Sequence, residues 1–439
     1  MEKRVRSIFP LLLLIAVNLI GMWTLMNNGN VNENMIVMCV GMCVLSFVVY
    51  LLINLCDMGD PYLFLIATML ATIGIMVVTS LSPTFGADNM KMYIIGVAMF
   101  FITILMYRLF YRLLKKFTVI YFGLSVALYI LTLVLAKVQN GAKNWIKLGE
   151  GLSVQPSEFI KVLFVMTIAG ILTYAVKGDY AESVAAKRYT STLAKKSEKK
   201  PLVSQQMIAV TVVTYVNLAF LFAQTELGTA IILFAIYLAF LFVYDESKLL
   251  LFVNTAVLAL VIIVAVTMPD ILPDYLNTRI NGWLTPFETR DAGGNYIVKS
   301  LVAIYQGNFT GVGIGNGNIN LEIFETVISD YVFSAVCKEM GILGGIGVIM
   351  LYFVLVYRGF KIAVSTTNEF NKALAFGLST MLGVQIFIII GGVTRLIPLT
   401  GITLPFVSHG GSSMFSTFIA IGILQAISSV KGDTTDEIE

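Results

Sequence analysis

The segment Gln155-Pro156-Ser157-Glu158, followed by Lys161, brings two opposite charges one helical turn apart. Pro156 suits the first turn of a helix, and residues three apart share a helix face, so Glu158 and Lys161 can pair. A charge in hydrocarbon costs about 2.5–3.5 kcal/mol on insertion scales, so an ionisable pair opening an apolar helix is a candidate functional site. The alternative interpretation is a helix cap with a local ion pair.

Asp330 lies in the sequence Ser329-Asp330-Tyr331, directly before another long apolar stretch. An aspartate at such a position is commonly a helix N-cap. Partial burial raises the pKa of a carboxyl group, and a carboxylate within reach of a hydroxyl can act as a general base. Both interpretations stay open on the sequence alone.

Polar residues also interrupt the apolar pattern at two further places. Residues 224–229 (QTELGT) leave the carboxylate of Glu226 between two apolar runs, where a simple turn would look similar. Residues 395–413 contain Arg395, two prolines and the sequence Ser-His-Gly-Gly-Ser-Ser. Irregular backbone at membrane depth is tolerated where it lines protein or a wet cavity, so this segment is a predicted cavity wall. His409 is the only histidine and is predicted to form hydrogen bonds rather than bind a metal.

A segment of about 60 residues, 268–331, combines charged and aromatic residues with a glycine-rich stretch, GVGIGNGN. The glycines resemble a phosphate-binding loop, but no strand precedes them and no P-loop lysine follows. A nucleotide site is therefore excluded. The glycines are predicted to let the backbone turn tightly against the membrane surface.

The elements that must position these residues are apolar helices. Of the 439 residues, 58% are hydrophobic and 13% are charged, which is typical of a membrane protein. Apolar runs separated by breakers predict about twelve spans. They lie at residues 8–26, 35–55, 62–82, 91–108, 117–137, 157–176, 206–223, 227–244, 248–268, 332–357, 371–392 and 411–429.

Basic residues cluster before the first predicted span and in alternate loops, at residues 3–6, 108–116 and 187–200. The positive-inside rule then predicts that these segments and both termini are cytoplasmic. The opposite loops would face outward and carry the candidate residues; they lie at residues 27–34, 82–90, 139–155, 224–227, 268–331 and 394–410. Residues 177–205 are predicted to be a mobile cytoplasmic segment. The N-terminus has no small-residue cleavage site and is predicted to be an uncleaved first helix.

The composition also limits partners and cofactors. A net charge of +3 does not imply nucleic acid. The four cysteines form neither a disulfide framework nor a zinc pattern. No organic cofactor is predicted.

Six ordered motifs resemble the SEDS family (shape, elongation, division and sporulation), whose members include RodA and FtsW. The resemblance covers about residues 62–430. It rests on GAKNW, QPSEFIK, QTELGT, the loop residues Arg279, Pro286, Tyr296 and Ser300, SDYVF with KEMG, and PLTGITLPFVSHGGSS. One such motif would be weak evidence, whereas six in order are highly specific.

The resemblance implies a peptidoglycan glycosyltransferase that polymerises lipid II. In the family an aspartate after the large outer loop is essential, and Asp330 is the matching position. It would deprotonate the 4-hydroxyl of the acceptor N-acetylglucosamine, which attacks the anomeric carbon of the donor N-acetylmuramic acid and expels undecaprenyl diphosphate. Lys161 and Arg279 match basic positions of the family and would bind the diphosphate. The other predicted substrate-binding residues are Gln155, Ser157, Glu158, Glu226, Ser408 and Ser412.

A divalent cation, Mg²⁺ or Mn²⁺, is a further expectation, with Glu158 or Glu226 as possible ligands. The resemblance also implies a class B penicillin-binding protein as the partner that cross-links the product. Two alternatives stay open. A lipid II flippase would need charged residues along the full depth of a path, whereas here they cluster in the outer third. A non-catalytic scaffold would tolerate the loss of Asp330.

Several positions differ from the family pattern, among them Ser329 for threonine, Lys338 for the first glutamate of Glu-Glu-Leu-Gly, and His409 for tyrosine. The family core has ten helices, and two additional helices are predicted here within residues 1–60. The predicted core covers residues 61–430, and residues 431–439 are predicted to be a cytoplasmic tail.

Overall fold

A computed structural model describes residues 8–28, 33–139, 142–147, 149, 153–189, 204–268, 271–288, 295–317 and 324–430. These residues form fifteen helices and one small antiparallel sheet. Twelve of the helices in the described ranges are long and apolar enough to cross a membrane. The predicted polytopic, all-α membrane fold with about twelve spans is therefore confirmed.

Nine of the twelve spanning helices agree with the predicted spans to within two residues at each end, because runs of about 20 apolar residues satisfy their backbone only as helices in hydrocarbon. The helices Pro83–Leu114, Pro156–Tyr189 and Val332–Ser365 are longer than predicted. Pro61 and Pro156 stand at first helical positions. The bounds are α1 Phe9–Asn27, α2 Glu33–Leu55, α3 Pro61–Leu81, α4 Pro83–Leu114, α5 Thr118–Leu135, α6 Pro156–Tyr189, α7 Gln205–Ala223, α8 Leu227–Tyr244, α9 Leu249–Thr267, α10 Asp274–Leu284, α11 Asn295–Gly307, α12 Phe324–Ser329, α13 Val332–Ser365, α14 Glu369–Val393 and α15 Gly411–Ser429.

The chain divides into two compact units. The first unit comprises Met1–Arg108, Met268–Ile362 and Leu382–Glu439, and the second comprises Leu109–Thr267 and Ala363–Met381. Asp330, Arg279, Ser408 and Ser412 belong to the first unit. The other predicted site residues belong to the second.

In the first unit, the two N-terminal helices pack against α3. A Cβ built on Gly21 of α1 would lie 2.3 Å from the sulfur of Met76, so this glycine permits a close helix contact. Thr72 donates a hydrogen bond to the buried Asn18 side chain of α1 at 3.2 Å. Small residues and interhelical hydrogen bonds are the usual means of joining helices in a membrane.

In the second unit, the segment after α5 forms a short sheet rather than an irregular loop. Strands β1 (Lys137–Gln139), β2 (Ala142–Lys147) and β3 (Ser153–Val154) pair in the order β1-β2-β3, with both pairs antiparallel. The backbone N–H of Lys143 in β2 donates to the carbonyl of Gln224 at 3.1 Å. The sheet thus connects the segment before α6 with the turn before α8.

Helix α6 is longer than predicted. It continues to Tyr189, so the prediction that residues 177–205 form a mobile segment was wrong for its first part. The extension, AVKGDYAESVAAKRY, contains four alanines, two lysines, one arginine and one glutamate, which favour helix outside a membrane as well as within it. Residues 190–203 and the predicted tail, 431–439, lie outside the described residues.

The glycine-rich stretch docks into a break in α13. Gly341 has φ 70° and ψ −178°, which interrupts the helix and leaves backbone groups without their usual partners. The preceding loop supplies those partners. The N–H of Gly313 donates to the carbonyl of Glu339 at 3.0 Å, and the N–H of Ile342 donates to the carbonyl of Asn308 at 2.9 Å.

The same loop surrounds the side chain of Glu339, which is 1% exposed. The backbone N–H groups of Gly315 and Gly317 donate to its carboxylate, and the Ser80 hydroxyl of α3 donates as well. The predicted tight turning of the glycines is therefore seen, but the turns hold a carboxylate of the chain itself. Backbone N–H groups of neighbouring residues that converge on a carboxylate in this way resemble an anion-binding nest.

Replacing Gly341 by alanine is expected to lower the free energy of unfolding by at least about 2 kcal/mol. The left-handed φ is costly for any residue with a Cβ, and that Cβ would lie 2.3 Å from the carbonyl oxygen of Phe309. Gly347→Ala is the matched control, because it lies in the same helix with nothing within 4 Å of a built Cβ. Thermal unfolding in detergent measures both, and equal melting temperatures would contradict the account of the break.

Candidate active site

Asp330 lies in the turn between α12, which ends at Ser329, and α13, which begins at Val332. Its backbone N–H donates to the carbonyl of Thr326 at 2.9 Å, and its side chain is half-buried. Tyr331 occupies the position before the first helical residue. Asp330 therefore does not take the N-cap position, and the general-base interpretation keeps its geometric basis.

The guanidinium of Arg279 and the carboxylate of Asp330 both lie close to Gly401. A Cβ built on Gly401 would lie 3.6 Å from Nη2 of Arg279 and 3.6 Å from Oδ2 of Asp330. Arg279 projects from α10 and donates through Nη1 to the carbonyl of Thr400 at 3.1 Å. We call Asp330, Arg279, Thr400 and Gly401 the Asp330 site.

The charges of the Asp330 site influence each other. Burial raises the pKa of the Asp330 carboxyl to about 6, while a hydrogen bond with Ser329 and the charge of Arg279 oppose this rise. Burial lowers the pKa of the Arg279 guanidinium, and Asp330 counteracts that effect. A carboxyl group with such a pKa is largely ionised at neutral pH and is a stronger base than a solvated aspartate.

Ser408 holds the turn that carries Asp330. Its hydroxyl donates to the carbonyl of Ser329 at 2.5 Å and accepts the N–H of Leu404 at 2.8 Å. The N–H of His409 donates to the carbonyl of Ile328 at 2.9 Å. Ser408 thus contacts the backbone next to Asp330, and its predicted binding of substrate stays a prediction. The same holds for Ser412, which is buried in the first turn of α15.

The His409 side chain forms a hydrogen bond and a ring contact. Its Nδ1 lies 2.7 Å from Oδ1 of Asn89, and its ring meets Phe85 edge-on with centroids 5.0 Å apart. Burial lowers the pKa of the imidazole. These contacts agree with a hydrogen-bonding role for the only histidine.

In the second unit, Glu158 and Lys161 form the predicted pair. Nζ of Lys161 lies 2.9 Å from Oε1 of Glu158, and both side chains are at most 3% exposed. Breaking such a buried pair by removing one partner typically costs 3–5 kcal/mol, because the remaining charge stays buried. The ion pair of the alternative interpretation is therefore present, but its complete burial is unusual for a simple helix cap.

Three polar side chains donate hydrogen bonds to Glu226. Its Oε1 accepts hydrogen bonds from Gln155 at 2.8 Å, Ser157 at 2.6 Å and Thr229 at 2.5 Å. We call these four residues the Glu226 cluster. Burial raises the pKa of Glu226, with the neighbouring Glu158 adding to the rise and the three hydrogen bonds opposing it.

The Glu226 cluster offers little to a resident metal ion. Among the described residues, no group of three or more His, Cys, Asp or Glu side chains could hold one. Oε2 of Glu226 is buried and has no hydrogen-bond partner in the described part of the chain, so it is one candidate ligand atom. A cation at this place would need most of its ligands from water or from a substrate.

Three residues of these sites, Thr229, Thr400 and Gly401, were not predicted from the sequence. Thr229 lies three residues after Glu226, a spacing that puts both on one side of a helix start, and this signal was available. Gly401 has φ 71°, and without a side chain it leaves room between Arg279 and Asp330. Its proximity to residues 279 and 330 has no signal in a single sequence.

The fold has many membrane-spanning helices, and Asp330 and Arg279 lie close to the start of one of them. These features define the class of this protein as a membrane protein with a polar site at a helix end. The chain belongs to the FtsW/RodA/SpoVE family of cell cycle proteins, whose family model matches residues 60–432. The predicted resemblance to the SEDS family is confirmed.

Known relatives resemble most of the chain. The peptidoglycan glycosyltransferase RodA of Mycobacterium leprae (strain TN) is 31% identical over 380 residues, which are 84% of this chain and 77% of the relative. Stage V sporulation protein E of Bacillus subtilis (strain 168) is 30% identical over 383 residues, which are 84% of this chain and 96% of that protein.

Solved structures share the fold. One, described as showing structural coordination of polymerization and crosslinking by a peptidoglycan synthase complex, matches with a TM-score of 0.64 at 22% identity, covering 84% of this chain and 97% of that one. The crystal structure of Thermus thermophilus RodA matches with a TM-score of 0.55 at 21% identity, covering 84% of this chain and 96% of that one.

Proposed function

We propose that this chain polymerises lipid II into glycan strands, with Asp330 as the general base. The observation that supports the proposal most strongly is the half-buried carboxylate beside Arg279 where α13 begins. The glycosyltransferase class is confirmed by the relatives, which are named peptidoglycan glycosyltransferase RodA and probable peptidoglycan glycosyltransferase FtsW.

In the proposed reaction, Asp330 accepts the proton of the acceptor sugar's 4-hydroxyl. The oxygen forms a bond to the anomeric carbon of the donor sugar, and the bond from that carbon to undecaprenyl diphosphate breaks. With a pKa of about 6, the carboxyl is about 90% ionised at pH 7 and its basicity suits a general base. General-base help contributes about 10²–10⁴ to a rate, so binding and electrostatics must supply the rest.

We propose that cations of the chain bind the diphosphate. Arg279 can offer a forked set of donors to phosphate oxygens, and Lys161 can act as a point charge. Lys161 is held by Glu158 at 2.9 Å, so a diphosphate would share this ammonium group with the carboxylate. In this proposal the Glu226 cluster orients the start of α6 through its hydrogen bonds to Gln155 and Ser157.

We also propose that a divalent cation, Mg²⁺ or Mn²⁺, arrives with the substrate. Mg²⁺ is usually bound by one or two carboxylates together with substrate phosphates and water. Glu226, with its unpartnered Oε2 among the described residues, is the better candidate ligand, and Glu158 is the second. When bound, the cation would neutralise charge on the diphosphate.

The proposed partner is a class B penicillin-binding protein that cross-links the glycan, as the peptidoglycan synthase complex with a similar fold combines polymerization and crosslinking. The proposed orientation has Asp330 on the outer face of the cytoplasmic membrane and both termini in the cytoplasm, because basic residues cluster in alternate loops.

The test uses the purified full-length chain with its transpeptidase partner and fluorescent lipid II. We expect moenomycin-resistant glycan polymer, its loss in EDTA, and its return on adding Mg²⁺ or Mn²⁺. Movement of labelled lipid II across vesicle membranes without polymer would instead support the flippase alternative. Full activity in EDTA would remove the cation from the proposal but leave the polymerase.

A further inference from the structure

Arg395 and Trp283 lie 112 residues apart in the sequence and are joined by hydrogen bonds in both directions. Nε of Arg395 donates to the carbonyl of Trp283 at 3.0 Å, and its Nη2 donates to the carbonyl of Leu284 at 2.9 Å. In return, the indole Nε1 of Trp283 donates to the carbonyl of Arg395 at 3.1 Å. We call these three hydrogen bonds the Arg395 clasp.

The clasp acts on the end of α10. Trp283 and Leu284 are the last two residues of this helix, and the final carbonyls of a helix have no partners within it. A cationic guanidinium satisfies them and also complements the helix dipole. An 11-residue helix is short enough to depend on such tertiary anchors for its stability.

The backbone of Arg395 indicates that its side chain is required. Arg395 has φ 63°, in the left-handed region. This conformation costs about 1–2 kcal/mol for a residue with a Cβ and is nearly free for glycine. A strained non-glycine residue persists where the surrounding structure holds it in place, and here the held group is the guanidinium itself.

The position of α10 in turn places Arg279. Arg279 lies one turn before Trp283 on this helix, and its guanidinium bonds the carbonyl of Thr400 at 3.1 Å. The segment from Arg395 to Gly401 is therefore joined to α10 at both ends. At the Gly401 end, Arg279 and Asp330 each approach within 3.6 Å of the Cβ position.

We propose that Arg395 is a positioning residue that sets the distance between the Arg279 guanidinium and the Asp330 carboxylate by clasping the end of α10. The proposal rests on the proposed function, because it assigns Arg395 a role through the general base. Arg395 itself need not touch substrate.

The test is the pH dependence of kcat/KM for lipid II polymerisation. Arg279 favours the ionised form of Asp330, so weakening their contact raises the pH at which activity is lost on acidification. The other titratable groups that face this pair are the phenols of Tyr275, Tyr296 and Tyr331, and burial raises the pKa of Tyr331 above the ordinary phenol value of about 10. The acid limb of the profile therefore reports on Asp330 and Arg279.

Three arginine variants separate position from charge. Arg279→Gln is expected to shift the acid limb upwards by about one pH unit, as for a charge several Å away at intermediate dielectric. Arg395→Lys keeps the charge but not the fork, and we expect it to shift the limb upwards by about half as much or more. The double variant with Arg279→Gln should shift no further than Arg279→Gln alone.

Two further variants complete the test. Trp283→Phe removes the indole N–H while keeping an aromatic ring, and it should give a smaller shift in the same direction. This variant keeps the test informative if Arg395→Lys does not fold. Arg358→Gln breaks a different arginine contact of the first unit, with Asp60 at 2.5 Å, and should leave the limb unchanged.

The possible outcomes distinguish a failure of the positioning role of Arg395 from a failure of the proposed function. An acid limb that moves in Arg279→Gln but not in Arg395→Lys or Trp283→Phe would overturn the positioning role and leave the proposed function intact. A wild-type chain that makes no polymer would contradict the proposed function and the inference together.

Discussion

Asp330→Asn yields no detectable glycan polymer at any lipid II concentration, if Asp330 is the general base. Asparagine keeps the shape of the side chain but cannot accept the proton of the attacking hydroxyl. We expect kcat to fall by at least 10²–10⁴, with folding and partner binding retained. The measurement is polymer formed from fluorescent lipid II by the partner-bound variant. Product equal to that of wild type would remove Asp330 from the mechanism.

The same substitution is expected to stabilise the folded chain at neutral pH. The pKa of Asp330 is raised from 3.8 to about 6 in the fold, so the fold favours the protonated form. The ionised carboxylate therefore destabilises the fold above about pH 6, and this penalty diminishes as the pH falls towards 3.8.

At pH 7.5 the gain in Asp330→Asn should be about 1–3 kcal/mol, reduced from its upper limit by partial exposure to solvent. Apparent melting temperatures in detergent at pH 7.5 and pH 4.5 measure it. A variant that is less stable than wild type at pH 7.5 would contradict the proposed cost of burying this charge.

Lys161→Met is expected to lower the free energy of unfolding by about 3–5 kcal/mol, because it leaves Glu158 buried without its cation. Both side chains are at most 3% exposed, so water cannot replace the lost partner. The double variant Glu158→Gln with Lys161→Met removes both charges and should recover most of the loss. Thermal unfolding of the single and double variants tests this, and equal instability in both would show that the pair is not coupled in this way.

The catalytic role of Lys161 needs a separate measurement from its structural role. The double variant Glu158→Gln with Lys161→Met is expected to be folded and stable enough to assay. If Lys161 binds the diphosphate, this variant should still use lipid II but with a much lower kcat/KM. Lys143→Met is the control, since Lys143 lies in β2 and is not fully buried. Comparable losses in catalytic efficiency for residues 143 and 161 would show that Lys161 is not part of a binding site.

Much of the fold could be predicted from hydrophobic length alone. A run of about 20 apolar residues has one low-energy conformation in hydrocarbon, and the twelve spans follow from that constraint. The pairing of Glu158 with Lys161 could also be predicted, because residues three apart on a helix are neighbours.

Features that depend on tertiary contacts could not be predicted in the same way. The break at Gly341 is stabilised by a loop about 30 residues earlier, so no local pattern marks it as more than another glycine. The sheet before α6 and the extension of α6 to Tyr189 fall in segments whose apolar content is low. Periodicity carries little information there.

The candidate sites also include some residues that the sequence could predict and others that depend on tertiary contacts. The family motifs singled out Asp330, and the positions of Arg279 and Glu226 came with them. The sequence does not show that Gly401 lies close to both Arg279 and Asp330, or that Arg395 bonds to Trp283, because those contacts join residues far apart in the chain. Contacts of that kind require coordinates.

The initial rate of lipid II polymerisation by the wild-type chain, measured from pH 5 to pH 8, tests the role of Asp330 most directly. If Asp330 is the base, kcat/KM falls about tenfold for each unit below pH 6, while the protein stays folded. A kcat/KM that stays constant down to pH 5 in the folded protein would contradict an ionised Asp330 as the base.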